Sequence, residues 1–197
     1  MRINLINVGW LRDPMQHERY SRWVKASPAT GPFEHFMMVV VQGLGRLDCQ
    51  LIQEDSRYCS LPEAQQQTIA ESIKTSDRFT LSYLWVLGAY ELVRTMDQRV
   101  RDKTSLISAS LPQRLSELKR AFKRVRIPLA KMEPAKAHKD TDSPIAFPAL
   151  HSEQGISWQL TRTDFVSRRE LSDALLGFLE DLRSHDPHFI ENATKAT

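Results

Sequence analysis

Between Leu81 and Val93 the sequence LSYLWVLGAYELV puts apolar side chains on every side of a helix, from Leu81, Tyr83 and Trp85 round to Tyr90, Leu92 and Val93. A helix without a polar face has to be enclosed by other elements. The run is interrupted by Ser82, Gly88 and Glu91 and is too short for a bilayer, which asks for about 20 apolar residues. The reading is a buried central helix over residues 77–102, and the rest of the chain must supply its shell.

That shell is written at helical spacing. After Pro32, a good first helical residue, Phe33, Phe36, Met37, Val40, Leu44, Leu47 and Leu51 recur in steps of three or four and predict a helix over 33–54. Gly43 and Gly45 lie inside it, each costing about 1 kcal/mol against alanine, so a neighbouring helix is expected to approach closely there. Leu111, Leu115, Leu118, Phe122, Val125, Leu129 and Met132 form a heptad seam over 111–132. Three heptads are the lower end for a coiled coil, so the seam is expected to pack inside the chain, with a homodimer as the alternative. Pro128 predicts a kink or a restart within it. Ser167 and Glu170 make a capping box ahead of Leu171, Leu175, Phe178, Leu179 and Leu182, a last helix over 168–184 that Asp186-Pro187 stops.

Smaller elements fill the remainder. Tyr20, Trp23 and Val24 predict a helix after Pro14, ending before the loop SPATGP. A second capping box, Ser60 with Glu63, starts a modest helix through Ile69 and Ile73, ahead of a fresh start at Thr75 to Asp77. Ile156, Trp158 and Leu160 alternate cleanly, and with IAFPAL before HSEQG they predict a β-hairpin over 145–161 whose first strand, holding Pro148, lies at an edge. The first dozen residues are ambiguous, with a short strand as one reading, and residues 191–197 read as a flexible tail. The expectation is a mainly α single domain over 1–190: an up-and-down bundle of four principal helices (33–54, 77–102, 111–132, 168–184) with the hairpin inserted before the last. A chain of 197 residues, 41% of them hydrophobic, can bury one such core.

Several function classes find no support. Cys49 and Cys59 are too few for a disulfide framework, have no C-x-x-C partner for zinc, and suit a reducing cytoplasm. The opening MRINLINVGWLRD lacks the apolar core and cleavage site of a signal peptide, so a cytoplasmic chain with no membrane partner is expected. In that setting the Asn192-Ala-Thr194 sequon carries no meaning. QGLGR has neither the glycine spacing nor the GK[ST] ending of a phosphate loop, and no cofactor or metal is expected.

Charge is the informative signal. The net charge of +3 is spread as +1 over residues 1–110, +6 over 111–138 and −4 over 139–197. Lys119, Arg120, Lys123, Arg124, Arg126 and Lys131 spread over the side of the helix away from the seam, and Glu117 is the only acid between 112 and 132. An exposed helix usually mixes signs to gain i,i+4 pairs. Something negative should therefore lie opposite: this chain's own Glu170, Asp173, Glu180 and Asp181, an acidic protein, or a phosphate backbone. The leading expectation is a non-catalytic cytoplasmic interaction protein that binds an acidic protein partner through these six cations. A nucleic-acid-binding module is an alternative, which lacks interleaved exposed aromatics and any known RNA- or DNA-binding pattern in its favour.

Three further groups of side chains are candidates for chemistry. Arg126, Lys131, Glu133, His138, Asp140, Asp142 and His151, in and around the loop EPAKAHKDTDSP, bring acid, base and cation together, and a solvated linker has the same composition. Glu91 with Arg94 reads as a partly buried ion pair. Near the end, Arg183-Ser-His-Asp-Pro-His188 is similar to the Arg-x4-His motif of the HEPN ribonucleases, which are small helical bundles. That resemblance implies a metal-independent RNA-cleaving site through Arg183 and His188, usually across a dimer. Read without it, His185 and His188 are helix-terminal histidines that favour the negative end of the dipole.

Overall fold

The computed structural model describes residues 13–105, 107–108 and 110–185. The expectations for the first dozen residues, for His188 and for the 191–197 tail lie outside them. The chain is mainly helical, with a small antiparallel sheet before the last helix. Helix α1 spans Pro14–Ala26, α2 Met37–Cys59, the single turn α3 Glu63–Gln66, α4 Ile69–Arg101, and α5 Leu111–Lys131. Strands β1 (Phe147–His151), β2 (Gly155–Gln159) and β3 (Phe165–Ser167) lead into α6 (Arg168–Ser184).

Helix ends depart from the sequence reading where turns or side chains compete with the helix. Asp13 caps α1 by accepting from the Met15 N–H at 3.0 Å, with Pro14 in the first turn. Helix α2 begins at Met37, not 33, because the Phe33 N–H bonds to the Thr30 carbonyl in a turn; Phe33 enters the core from that turn. It runs on to Cys59, where Ser60 closes it by donating to the Arg57 carbonyl at 2.7 Å. Ser60 is thus the end of a helix and not the start of a capping box.

Thr68 caps α4 by accepting from the Glu71 N–H, and the helix then runs unbroken for 33 residues. The two helices expected over 60–73 and from 77 are one. Thr75, Ser76 and Asp77 favour caps, but none forbids helical backbone, and ion pairs to α2 hold the early turns: Arg57 to Glu71 at 2.7 Å and Arg78 to Asp55 at 3.0 Å. Those turns bury charged side chains, Glu71 and Arg78, while Ile69 and Ile73 are exposed. Nor is the middle of α4 enclosed on all sides. Leu84 is exposed, and the Glu91–Arg94 pair, 2.7 Å, lies at the surface and not partly buried as expected.

Helix α5 passes through Pro128 without interruption. The ring forfeits one hydrogen bond to the residue 124 carbonyl, but it does so in the last turn, and Met132 then ends the helix with φ of 55°. The expected seam is buried at Leu111, Leu115, Leu118, Phe122 and Val125, whereas Met132 is exposed. Ser167 and Glu170 form the expected capping box of α6.

The sheet has the order β1-β2-β3, so β1 with Pro148 is an edge strand. Strand β3 extends the expected hairpin; three residues are too few to carry a periodicity. Register aligns Pro148, Trp158 and Val166 on one face and Phe147, Gln159 and Phe165 on the other. On the first face Pro148, at the edge, is exposed, while Trp158 and Val166 join a core that runs through every long helix. In it Trp85 meets Phe122 at 6.1 Å between ring centroids and donates its indole N–H to the Leu44 carbonyl at 2.9 Å. Burying a side chain such as Phe122 contributes roughly 1.5–3 kcal/mol. Of the two α2 glycines only Gly45 marks a close approach: a Cβ there would lie 2.4 Å from Trp23 Cγ, while Gly43 faces open space. Cys49 packs in the core, its thiol pushed up to about 12 by burial and by Asp48. Among the described residues no helix is long and apolar enough to cross a membrane.

Candidate functional site at the end of helix α5

The six cations singled out on α5 separate into two sets. Lys119 reaches Asp97 at 2.6 Å, Arg126 lies 3.9 Å from Glu91 and 5.2 Å from the Tyr90 ring, and Arg124 bonds Asp142 through both Nε (2.7 Å) and Nη2 (3.0 Å). These three are engaged by the protein's own groups. Lys131 has Glu133 at 3.6 Å, Arg120 is well exposed with Glu117 at 3.9 Å, and Lys123 has no carboxylate within 4.0 Å among the described residues. The acids come from α4 and from the segments around the sheet. The C-terminal acids expected in that role are used elsewhere: Asp173 and Glu180 pair with Arg19 and Arg22 of α1, Asp181 with Arg114, and Glu170 completes the α6 cap.

Arg124 is a clamp. Its Nη2 also meets Asp164, just ahead of β3, at 2.5 Å. Asp142, buried in the loop after α5, is hydrogen-bonded by Arg124 and held below its ordinary value by it, while the same bonds raise Arg124 further above its own. The Ser143 N–H donates to the Leu160 carbonyl at 2.7 Å, so the loop is tied to the end of β2. A linker of charged residues is thereby fixed against the sheet.

Two concavities result. A groove of about 360 Å³ lies between the end of α5 and the loop, with Lys123, Lys131, Lys136 and Lys139 along it. A second, of about 410 Å³, lies where the loop meets the sheet and is lined by Lys139, Thr141, Phe147, Gln159 and Arg162 among others. Lys139 belongs to both. The two hold five cations against Glu133, Asp140 and Asp142, and Asp142 is already bound by Arg124. Beside them, Phe147 and Phe165 are 51% and 46% exposed and flank Gln159 on the outer face of the sheet.

Sequence reasoning missed Lys136, Lys139, Arg162, Phe147, Gln159 and Phe165 as one group. The alternation of Ile156, Trp158 and Leu160 does assign Gln159 and its partner Phe147 to the opposite face, but β3 left no signal. The acid–base group in and around the loop does not converge. His138 lies 4.0 Å from Asp142, whereas His151 accepts from the Glu153 and Gln154 N–H groups in the hairpin turn and Arg126 turns to α4. Arg183 is exposed on the last turn of α6, and its proposed partner His188 lies outside the described residues. Among the described residues no three His, Cys, Asp or Glu side chains are placed to hold a metal.

A second charged cluster is sealed inside. Asp48 pairs with Arg168 and, at 2.7 Å, with Arg19; Arg168 continues to Asp55 at 3.9 Å, and Asp55 to Arg78 at 3.0 Å. Asp48 and Arg168 are 0% and 1% exposed, so this chain of charges ties α1, α2, α4 and α6 together without reaching a ligand. Comparison with protein-family models, with curated proteins and with solved structures gives no match to this chain.

Proposed function

We propose that the chain is a non-catalytic interaction protein that holds an anionic partner in the lysine-lined groove at the end of α5. The observation that carries this reading is the convergence of Lys123, Lys136, Lys139 and Arg162, none of which has a carboxylate within 4.0 Å among the described residues, around two concavities that share Lys139. Unpaired lysines repel one another, and an anion laid between them relieves that repulsion and releases counterions. Arg120 and Lys131 extend the same field, whereas Lys119, Arg124 and Arg126 act inside the molecule. A single-domain, up-and-down bundle in the cytoplasm is part of the same proposal, supported by the shared core and the two free thiols.

The test is binding of labelled polyglutamate and of a labelled oligonucleotide at increasing salt. Affinity for at least one should fall steeply with salt, and reversing Lys123, Lys136 and Lys139 to glutamate should weaken it by thirtyfold or more. Binding of neither, or binding untouched by the triple reversal, rejects the groove. The non-catalytic part is read on the same samples: RNA should stay full length. Cutting that Arg183→Ala and His188→Ala abolish would establish the ribonuclease reading instead.

A further inference from the structure

We infer that the anion held in the groove is a single-stranded nucleic acid, with its phosphates along Lys123, Lys136, Lys139 and Arg162 and its bases against Phe147 and Phe165. This rests on the groove being the binding site and adds what the partner is. The two rings stand on the outer strands of the sheet, whose backbones lie about 10 Å apart across two strand spacings, and each ring is about half exposed. Solvent-facing aromatics on a sheet beside a cationic track are what single strands require. Every base has a face to stack, and each such stack is worth about 1–3 kcal/mol.

Gln159 lies between the rings in register. One N–H of its amide donates to the Arg162 carbonyl at 3.1 Å, which orients the side chain and leaves its carbonyl oxygen and second N–H for a base edge. The 410 Å³ concavity is lined by Phe147, Gln159 and Arg162, so ring, amide and cation share one space. That combination suits a nucleotide whose base is unstacked.

Duplexes fit less well, because their base faces are stacked inside and the outer face of α5, which a major groove would have to receive, has spent Lys119, Arg124 and Arg126 on internal pairs. An acidic peptide would use the lysines and has no need of two rings with an amide between them. An anionic membrane would meet Met132 and Ile145 as well, both exposed. It would need an outward-projecting surface, though, whereas Phe147 lines a hollow.

The experiment measures anisotropy of a labelled 12-residue RNA, the matching DNA strand, its duplex and a polyglutamate peptide, and sedimentation with phosphatidylserine vesicles. Single strands of either type should bind, at least tenfold more tightly than the duplex. Phe147→Ala and Phe165→Ala should each lower single-strand affinity by about tenfold, as loss of one stack requires, and leave polyglutamate binding unchanged. Phe147→Leu and Phe165→Leu, which keep an apolar side chain and an intact fold, should lose as much. Single-strand binding indifferent to all four variants, or binding of polyglutamate or vesicles with none of oligonucleotide, overturns the inference while the lysine groove stands. No binding of any anion removes both.

Discussion

Arg168 and Asp48 meet inside the protein, Nη1 to Oδ1, with 1% and 0% of their side chains exposed. Arg168 opens α6 and Asp48 sits in the middle of α2, so this contact joins helices 120 positions apart in sequence. The Trp23 indole N–H also donates to Asp48, at 3.2 Å, and Arg168 lies 5.9 Å from the Trp85 ring. Burial pushes the Asp48 carboxyl up, and Arg168 and Arg19 together outweigh it and leave the group below its ordinary value.

Removing Arg168 leaves the buried Asp48 with Arg19 still paired to it at 2.7 Å. Arg168→Met is expected to cost up to about 3–5 kcal/mol, the range for breaking a buried pair outright. The double variant Arg168→Met, Asp48→Leu should cost less than the two single changes together. Urea midpoints of the three variants check this, and strict additivity would show that the two side chains do not interact.

The two glycines of α2 should respond with opposite signs. At Gly43 an added methyl meets nothing within 4 Å, so Gly43→Ala is expected to stabilise by about 0.5–1 kcal/mol through helix propensity. At Gly45 the same methyl collides with Trp23, and Gly45→Ala should destabilise by about 1–3 kcal/mol. Thermal midpoints moving in the same direction would contradict the packing of Trp23.

Acid should weaken the fold through carboxylates whose folded values are depressed. Hydrogen bonds from Arg57 and Lys74 hold Glu71 at about 2, against an ordinary value of 4.5. Asp142 and Asp48 are depressed too. For each, the stability carried by the ionised form is complete above the unfolded value and is lost as pH falls through the folded one. Asp55 runs the other way, raised by burial, which outweighs the nearby charge of Arg168, the Ile156 N–H bond and the Arg78 pair, so it takes up its proton earlier in the descent. The thermal midpoint is therefore expected to drop between pH about 4.5 and about 2. Glu71→Gln should lower it at pH 7 and leave it nearly unchanged at pH 2; an equal drop at both would assign Glu71 no part.

The clamp gives a local prediction. Arg124→Ala leaves buried Asp142 without its arginine, with His138 at 4.0 Å, and frees the loop after α5, so that trypsin can draw the chain at Lys136 and Lys139 into its site. Cleavage there should speed up at least tenfold while the far side of the molecule, around Trp23, keeps its near-ultraviolet signature. Unchanged cleavage would mean that the Ser143–Leu160 bond alone holds the loop.

Most of the fold was legible because apolar spacing reports which face a helix buries. Trp85, Phe122 and Leu175 were readable as core, and Ser167 with Glu170 as a helix start. The ends of α2 and α4 were not, because Ser60 and Thr75 favour caps in any context, and tertiary pairs such as Arg78 with Asp55 decide whether the chain turns there. The candidate site was half legible. The cations of α5 stood out by composition, but which of them remain free depends on Asp97, Asp142 and Asp164, whose positions no local pattern reveals. Phe147 and Phe165 come together only through strand pairing, which links residues 18 positions apart by way of Gln159.

The opening turns of α4 rest on attraction between opposite charges and not on oil. The outer links, Arg57–Glu71 and Lys74–Glu71, are open enough to water to weaken as salt rises, while Arg78–Asp55, sealed beneath them, is shielded from it. Rising ionic strength is therefore expected to loosen this helix from its first turn, and Arg78 is where that loosening is expected to stop.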